Sequence, residues 1–330
     1  MRPWAPSSSS ITRGPAGYGR WSRPSRPSTR PRRSPSSETP VRRRPSPASP
    51  TEVARLLAHP RFELVPTTTV EEQIRFLPER AVVSVTSSPR RGLEPTVLLT
   101  ERLAGAGFRA VPHLSARLVE GPGHLARIAR RLGESGIEEV FVVGGDPPAP
   151  AGPFDSALSL LRALADRGHR FARIGIAGYP ERHPLVDDEA LLEALLAKQS
   201  FASYLVTQIC YEPAVILGWI GRIRRSGVSL PVHIGMPGAV SRGKLLEMSL
   251  RVGVGDSIRY LRKHGTLMAR LVRRGGYRPD GFLATLSPLL EEGSTDVAGF
   301  HINTFNQVES TERWRRDVLA RYGSAELPAS

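Results

Sequence analysis

A chain of 330 residues with 40% hydrophobic and 23% charged residues is long enough for two average domains, or for one barrel of roughly 250 residues with extras. No apolar run reaches the roughly 18–20 residues of a membrane span, and a single cysteine, Cys210, excludes an internal disulfide framework. The net charge of +15 suggests nucleic acid, but residues 1–50 supply +10 of it through eleven Arg against the single acid Glu38.

Those first fifty residues also hold eleven Pro and many Ser. Such a segment has too little apolar surface to offset its ordering entropy, so it reads as a disordered tail. We take it as a solvated tail, or as upstream sequence translated from a misassigned start, rather than as a nucleic-acid arm. It has no apolar h-region of about 7–15 residues and so is not a secretory signal; the cytoplasm is the default compartment.

From residue 51 onward the pattern is regular. Apolar, β-branched runs occur at 62–67, 81–88, 108–115, 137–145, 173–180, 204–210, 231–237 and 297–305. Amphipathic stretches near 70–77, 94–106, 122–135, 154–167, 187–199, 213–226, 241–252 and 255–274 read as helices, with a last one at about 309–322. Gly107, Gly136, Gly168 and Gly227 stand where helices should stop, and Asp256 and Ser257 could cap the helix at 255–274. The stretch 274–296 shows no clear strand and reads as an elaboration before the last unit.

Eight strands alternating with helices predict an α/β protein of the (β/α)8 TIM-barrel type over residues 51–330. An open doubly wound sheet would carry a glycine fingerprint after its first strand, and Thr67-Thr68-Thr69-Val70 is not one. In such a barrel the chemistry sits where strands end. Those positions include Glu63, Thr86, His113, Asp146, Tyr179, His183, Gln208, His233 and His301.

The spacing of His113, His183 and His233 matches neither HExxH nor HxH, so no metal centre is expected. Neither a GxSxG elbow nor a GxxxxGK[ST] loop occurs, which argues against serine hydrolases and P-loop NTPases. Cys210 lies in an apolar run, where a buried inert thiol is expected. Gly144 and Gly145 directly after a strand allow close approach to a ligand, and Pro147-Pro148 stiffen the loop that presents Asp146.

Taken in order, Phe62-Glu63-x-x-Pro66, Ser84-Val85-Thr86, Pro112-His113-Leu114, Gly144-Gly145-Asp146-Pro147-Pro148, Tyr179-Pro180-Glu181-x-His183-Pro184, Thr207-Gln208 and Phe300-His301-Ile302 resemble the methylenetetrahydrofolate reductase family. The resemblance implies reduction of 5,10-methylenetetrahydrofolate to 5-methyltetrahydrofolate by NAD(P)H, through FAD or by direct hydride transfer. It assigns Glu63 as general acid, with its apolar neighbours favouring the neutral carboxyl. Asp146 would stabilise a cationic intermediate beside flavin and folate, and Gln208 would contact the folate. Thr86, His113, Gly145, Tyr179 and His183 would line the flavin site.

Flavin-binding members carry a basic, glycine-containing stretch before the Thr-Gln strand. Here it is reduced to Lys198, with Phe201 at the glycine, and Ser87-Ser88-Pro89-Arg90-Arg91 replaces the usual aromatic and glycine after Thr86. A pterin-binding one-carbon or methyl transferase on the same barrel is the alternative, and a binding protein acting through the basic tail is a third. The expected partner is a small-molecule folate, with neither membrane nor nucleic acid; oligomeric state is left open by the sequence.

Overall fold

In the computed structural model, residues 51–183, 186–241, 243–244, 276–291 and 297–322 are described. The tail at 1–50, the expected helices at 241–252 and 255–274, and the caps Asp256 and Ser257 lie essentially outside them.

Eight parallel strands pair in sequence order and close on themselves: β1 (Arg61–Leu64), β2 (Val82–Val85), β3 (Arg109–Ser115), β4 (Glu139–Val143), β5 (Arg173–Gly178), β6 (Tyr204–Thr207), β7 (Val232–Pro237) and β8 (Val297–Asn303). Closure sets β8 beside β1, with Arg61 opposite His301 and Glu63 opposite Asn303. The expected (β/α)8 barrel is the observed one.

Period-two alternation divides the strands between two cores. Phe62, Leu64, Val83, Val85, Val140, Val142, Phe300 and Ile302 pack outward into the shell of helices. Val111, Phe141, Tyr204 and Val206 form a separate cluster inside the barrel. Glu63 and His301 each lie between two outward residues, so both face the interior.

The helices among the described residues are α1 (Glu52–Ala58), α2 (Glu71–Ile74), α3 (Glu94–Gly105), α4 (Pro122–Glu134), α5 (Ala157–Asp166), α6 (Asp188–Gln199), α7 (Pro213–Arg225), α8 (Asp280–Glu291) and α9 (Val308–Tyr322). Four of the expected stops hold: Gly107, Gly136, Gly168 and Gly227 have φ of 87°, 72°, 63° and 92°, the left-handed region that ends a helix on glycine.

Two helices were not foreseen. α1 is a short amphipathic helix capped by the Thr51 side chain, with Val53, Ala54, Leu56 and Leu57 buried. Its C-terminal carbonyls at Leu57 and Ala58 accept hydrogen bonds from Arg315 Nη1 on α9, both at 3.0 Å. α8 fills much of the stretch read as an elaboration. Its helical pattern is obscured by Pro288, which sits inside the helix.

The end of the barrel where the strands begin is tied by a buried polar cluster. Arg61 Nη2 pairs with Glu139 and donates to the Tyr204 hydroxyl at 2.8 Å, so the first residues of β1, β4 and β6 are joined across the interior.

Candidate functional site

At the opposite end, the third residue of β1 is the centre of the site. Glu63 Oε2 accepts a hydrogen bond from His301 Nε2 at 2.9 Å, and His113 Nε2 lies 4.0 Å from the same oxygen. His113 and His301 are 8% and 2% exposed, and the His113 ring packs on Phe141 with centroids 4.7 Å apart. Neither His113 Nε2 nor His301 Nδ1 has a partner.

The backbone around the acid is held by the loop after β8. Thr304 Oγ1 donates to Glu63 O at 2.6 Å. Asn306 brackets Val65 from both sides: its Oδ1 accepts from Val65 N at 2.9 Å and its Nδ2 donates to Val65 O at 2.8 Å. Phe305 and Asn306 take φ of 49° and 58° to make that turn.

This geometry corrects one expectation. The apolar neighbours Phe62 and Leu64 sit on the other side of the strand and do not surround the carboxyl. Burial alone would raise the Glu63 pKa, but the hydrogen bond from His301 and the charges of His301 and His113 outweigh it and bring it below its ordinary value. In the free protein Glu63 is a carboxylate held by an imidazole, not a neutral acid. His113 is held neutral, with its pKa lowered to about 4, chiefly by burial, which outweighs the upward pull of Glu63, with His301 and Arg61 lowering it further.

The Gly144–Pro148 loop is built by Arg117, a residue the motifs did not single out. Its guanidinium donates to the carbonyls of Pro147, Pro148 and Asp155 at 2.7, 2.7 and 2.9 Å. Gly145 has φ 98°, and a Cβ there would lie 1.9 Å from Ser115 Oγ, so the turn over β3 admits only glycine. Asp146 comes close enough to Tyr179 that its charge, after burial, helps raise the phenol's pKa. Tyr179 meets His183 edge-on at 5.1 Å.

Gln208 N donates to Gly178 O at 2.7 Å, which sets its backbone beside the Gly178-Tyr179 turn. Thr86 N donates to Leu64 O at 2.9 Å, at the same end of the barrel. Glu63, Thr86, His113, Gly145, Asp146, Tyr179, His183 and Gln208 therefore all lie at the end of the barrel where the strands finish.

Lys198 is not brought to them. It lies in the last turn of α6, next to Gln199, which bonds Gly227 O and Ser229 N in the loop leading into β7, at the other end of the barrel. Burial lowers its pKa. Cys210 is fully buried and its thiol pKa is pushed up, chiefly by burial, as expected of an inert cysteine.

The same geometry tests the fit of a flavin. The residues expected at the ring share one end of the barrel, and the diphosphate needs cations. Arg117 is committed to three carbonyls, Arg91 Nη1 donates to Pro66 O at 3.1 Å and Arg182 pairs with Asp188 at 3.5 Å. Among the described residues after β2, exposed Arg90 is left for it, and the described part of the mouth offers a flavin diphosphate few uncommitted cations.

Fold and site together define a (β/α)8 barrel whose mouth is organised around a carboxylate–imidazole pair. A family model described as methylenetetrahydrofolate reductase matches residues 68–248, more than half of the chain, and the chain belongs to that family. It is 31% identical over 114 residues to methylenetetrahydrofolate reductase 2 of Saccharomyces cerevisiae, covering 31% of this chain and 19% of the yeast protein. To methylenetetrahydrofolate reductase 2 of Schizosaccharomyces pombe it is 24% identical over 226 residues, 56% of this chain and 33% of that protein. The matched stretches thus span a third or less of these relatives. In fold it is similar to an uncharacterised Clostridium thermocellum protein described as binding two copies of 5-methyl-5,6,7,8-tetrahydrofolic acid, with a TM-score of 0.55 and 13% identity over 80% of this chain and 95% of that one.

No helix among the described residues is long and apolar enough to cross a membrane.

Proposed function

We propose that this chain is an oxidoreductase that reduces 5,10-methylenetetrahydrofolate to 5-methyltetrahydrofolate, with a reduced nicotinamide, NADH or NADPH, as the hydride source. The observation that carries the proposal is the Glu63–His301 pair, set on the inner face of the barrel at the end that also bears Asp146 and Gln208. Family membership and a folate-binding protein of the same fold agree with it.

The chemistry asks for one proton and one hydride. The bridging carbon must leave N10, which takes the bonding electron pair and a proton, and the resulting iminium at N5 then accepts hydride to become the methyl group. Glu63 is the proton's last holder. Its carboxylate is ionised in the free protein, and the hydrogen bond with His301 Nε2 holds it in place. A bound pterin expels water from the mouth, which favours the neutral carboxyl, so Glu63 takes up a proton from solvent as the substrate binds and passes it to N10.

Asp146 makes no hydrogen bond among the described residues and offers a negative charge near the cationic iminium. Gln208 offers both an amide donor and an acceptor to the pterin edge. His113 and Tyr179 complete the walls. The hydride comes from the reduced nicotinamide, directly or through FAD, and the roles of Glu63, Asp146 and Gln208 are the same by either route.

The test is to supply the purified protein with methylenetetrahydrofolate and reduced nicotinamide and to follow both products. One nicotinamide oxidised per 5-methyltetrahydrofolate formed supports the proposal. A pterin-binding methyl transferase on this barrel would leave the nicotinamide unconsumed.

A further inference from the structure

Three polar side chains from three different strands meet on the inner face of the barrel: Glu63 from β1, His113 from β3 and His301 from β8. Their donor atoms, one per residue, all lie within 4.8 Å of one another. They stand over an apolar floor that includes Phe141, Val111 and Val206. A barrel interior at this level is ordinarily filled by branched aliphatic side chains, so the polar trio needs an explanation. The Glu63–His301 hydrogen bond accounts for two of its members but not for His113. That imidazole is more than nine-tenths buried, directs Nε2 toward the Glu63 carboxylate at 4.0 Å, and has no hydrogen-bond partner there.

We propose that Glu63, His113 and His301 form a three-ligand site for a divalent transition metal of the zinc class. Two imidazoles and one carboxylate make a donor set that suits zinc, with the fourth position open to water. The site needs little rebuilding. Donors bound to one tetrahedral zinc at about 2.0–2.1 Å stand roughly 3.4 Å apart, so the 2.9 Å and 4.0 Å separations bracket the required spacing. The third separation, between the two imidazole nitrogens, is within 4.8 Å, so the rings must close on one another to share a centre. His301 must carry its hydrogen on Nδ1 instead of Nε2, and since Nδ1 has no partner, that change of tautomer breaks no bond there. The metal and the proton then compete for the same lone pairs, and a metal-loaded chain has no acid at this position.

The binding site does not depend on the folate reading; only the loss of reduction does. The full chain, stripped with a chelator, is titrated calorimetrically with Zn2+ and, for its visible spectrum, with Co2+. The expected result is one equivalent bound, a raised thermal midpoint, and Co2+ absorption of the intensity of a four-coordinate site. His113→Gln and His301→Gln should each weaken binding by more than about tenfold. His124→Gln, on the outer helix α4, should leave it unchanged. Midpoints of the metal-free variants establish that each is folded, and the Co2+ spectrum of the unaltered chain tests the site without any variant. No saturable uptake, a six-coordinate Co2+ spectrum, or binding that survives either substitution overturns the proposal. Reduction assayed in chelator separates the two readings. Turnover without metal uptake removes only the metal site, and uptake without turnover removes only the reductase.

Discussion

Glu63 Oε2 and His301 Nε2 are 2.9 Å apart, one on the first strand of the barrel and the other on the last. The contact exists only because the sheet closes. It makes the acid a carboxyl held and tuned by an imidazole, and replacing His301 by Ala should therefore alter how the acid titrates. Without the imidazole, burial is the main influence left on Glu63 and its pKa should rise. The pH profile of kcat/KM should shift to higher pH, and the lost positioning of the carboxyl should cost about 10–100-fold at its maximum. Superimposable profiles for the variant and the parent would remove His301 from tuning the acid.

Acid should destabilise this fold through its buried histidines. His113 and His233 have pKa values lowered to about 4 and about 3, in each case chiefly by burial. An unfolded histidine titrates near 6.5, so between that value and the folded pKa the unfolded chain binds more protons than the native one. Stability is therefore full above about 6.5 and declines as pH falls toward 4, by up to about 1.4 kcal/mol per pH unit for each histidine. Glu63, whose pKa is lowered, adds a loss in the same direction below its ordinary value. Thermal midpoints of the parent and His233→Gln measured from pH 7.5 to 4.5 check this. The variant should show the shallower decline, and parallel curves would contradict it.

The Arg117 guanidinium fixes the loop that carries Asp146. Arg117→Ala should leave the barrel folded but release Pro147 and Pro148. Misplacing Asp146 by about 1 Å should then cost up to roughly 100-fold in kcat/KM. Asp146→Asn should lower kcat without the change in loop order. Limited proteolysis distinguishes them, with new cleavage near residue 147 expected in the arginine variant alone.

At the closed end, Arg61 and Glu139 are 3% and 6% exposed and pair with one another. Removing one partner strands a buried charge, so Arg61→Met should cost about 3–5 kcal/mol. The double variant Arg61→Met, Glu139→Leu should recover much of that loss. Chemical denaturation of the parent, the single and the double variant measures it, and a double variant no more stable than Arg61→Met would contradict the coupling.

Much of this was legible before the structure. The alternation of apolar runs with capped helices predicted the barrel, because period two and period 3.6 are local properties of a sequence. The motif residues Glu63, Asp146 and Gln208 fell at strand ends for the same reason. What could not be read was what depends on closure and on which face a residue takes. Glu63 was assigned apolar surroundings from Phe62 and Leu64, yet alternation sends those two outward and leaves the acid among imidazoles. His301 stood among the strand-end residues, and eight strands implied that β8 would lie beside β1, but its register against Glu63 is not a local signal. Arg117 was invisible because its partners are backbone carbonyls about 30 residues and more away. Lys198 shows the converse: motif matching placed it with the cofactor residues, and α6 carries it to the other end of the barrel.

Turnover by Glu63→Gln tests the account most directly, measured as 5-methyltetrahydrofolate formed per reduced nicotinamide consumed, in chelator and beside the parent protein. Glutamine keeps the shape of the side chain but cannot give up a carboxyl proton. The account predicts an unchanged thermal midpoint to within a few degrees and a fall in rate of about 100- to 10,000-fold. A folded variant that reduces methylenetetrahydrofolate at the parent rate would contradict it.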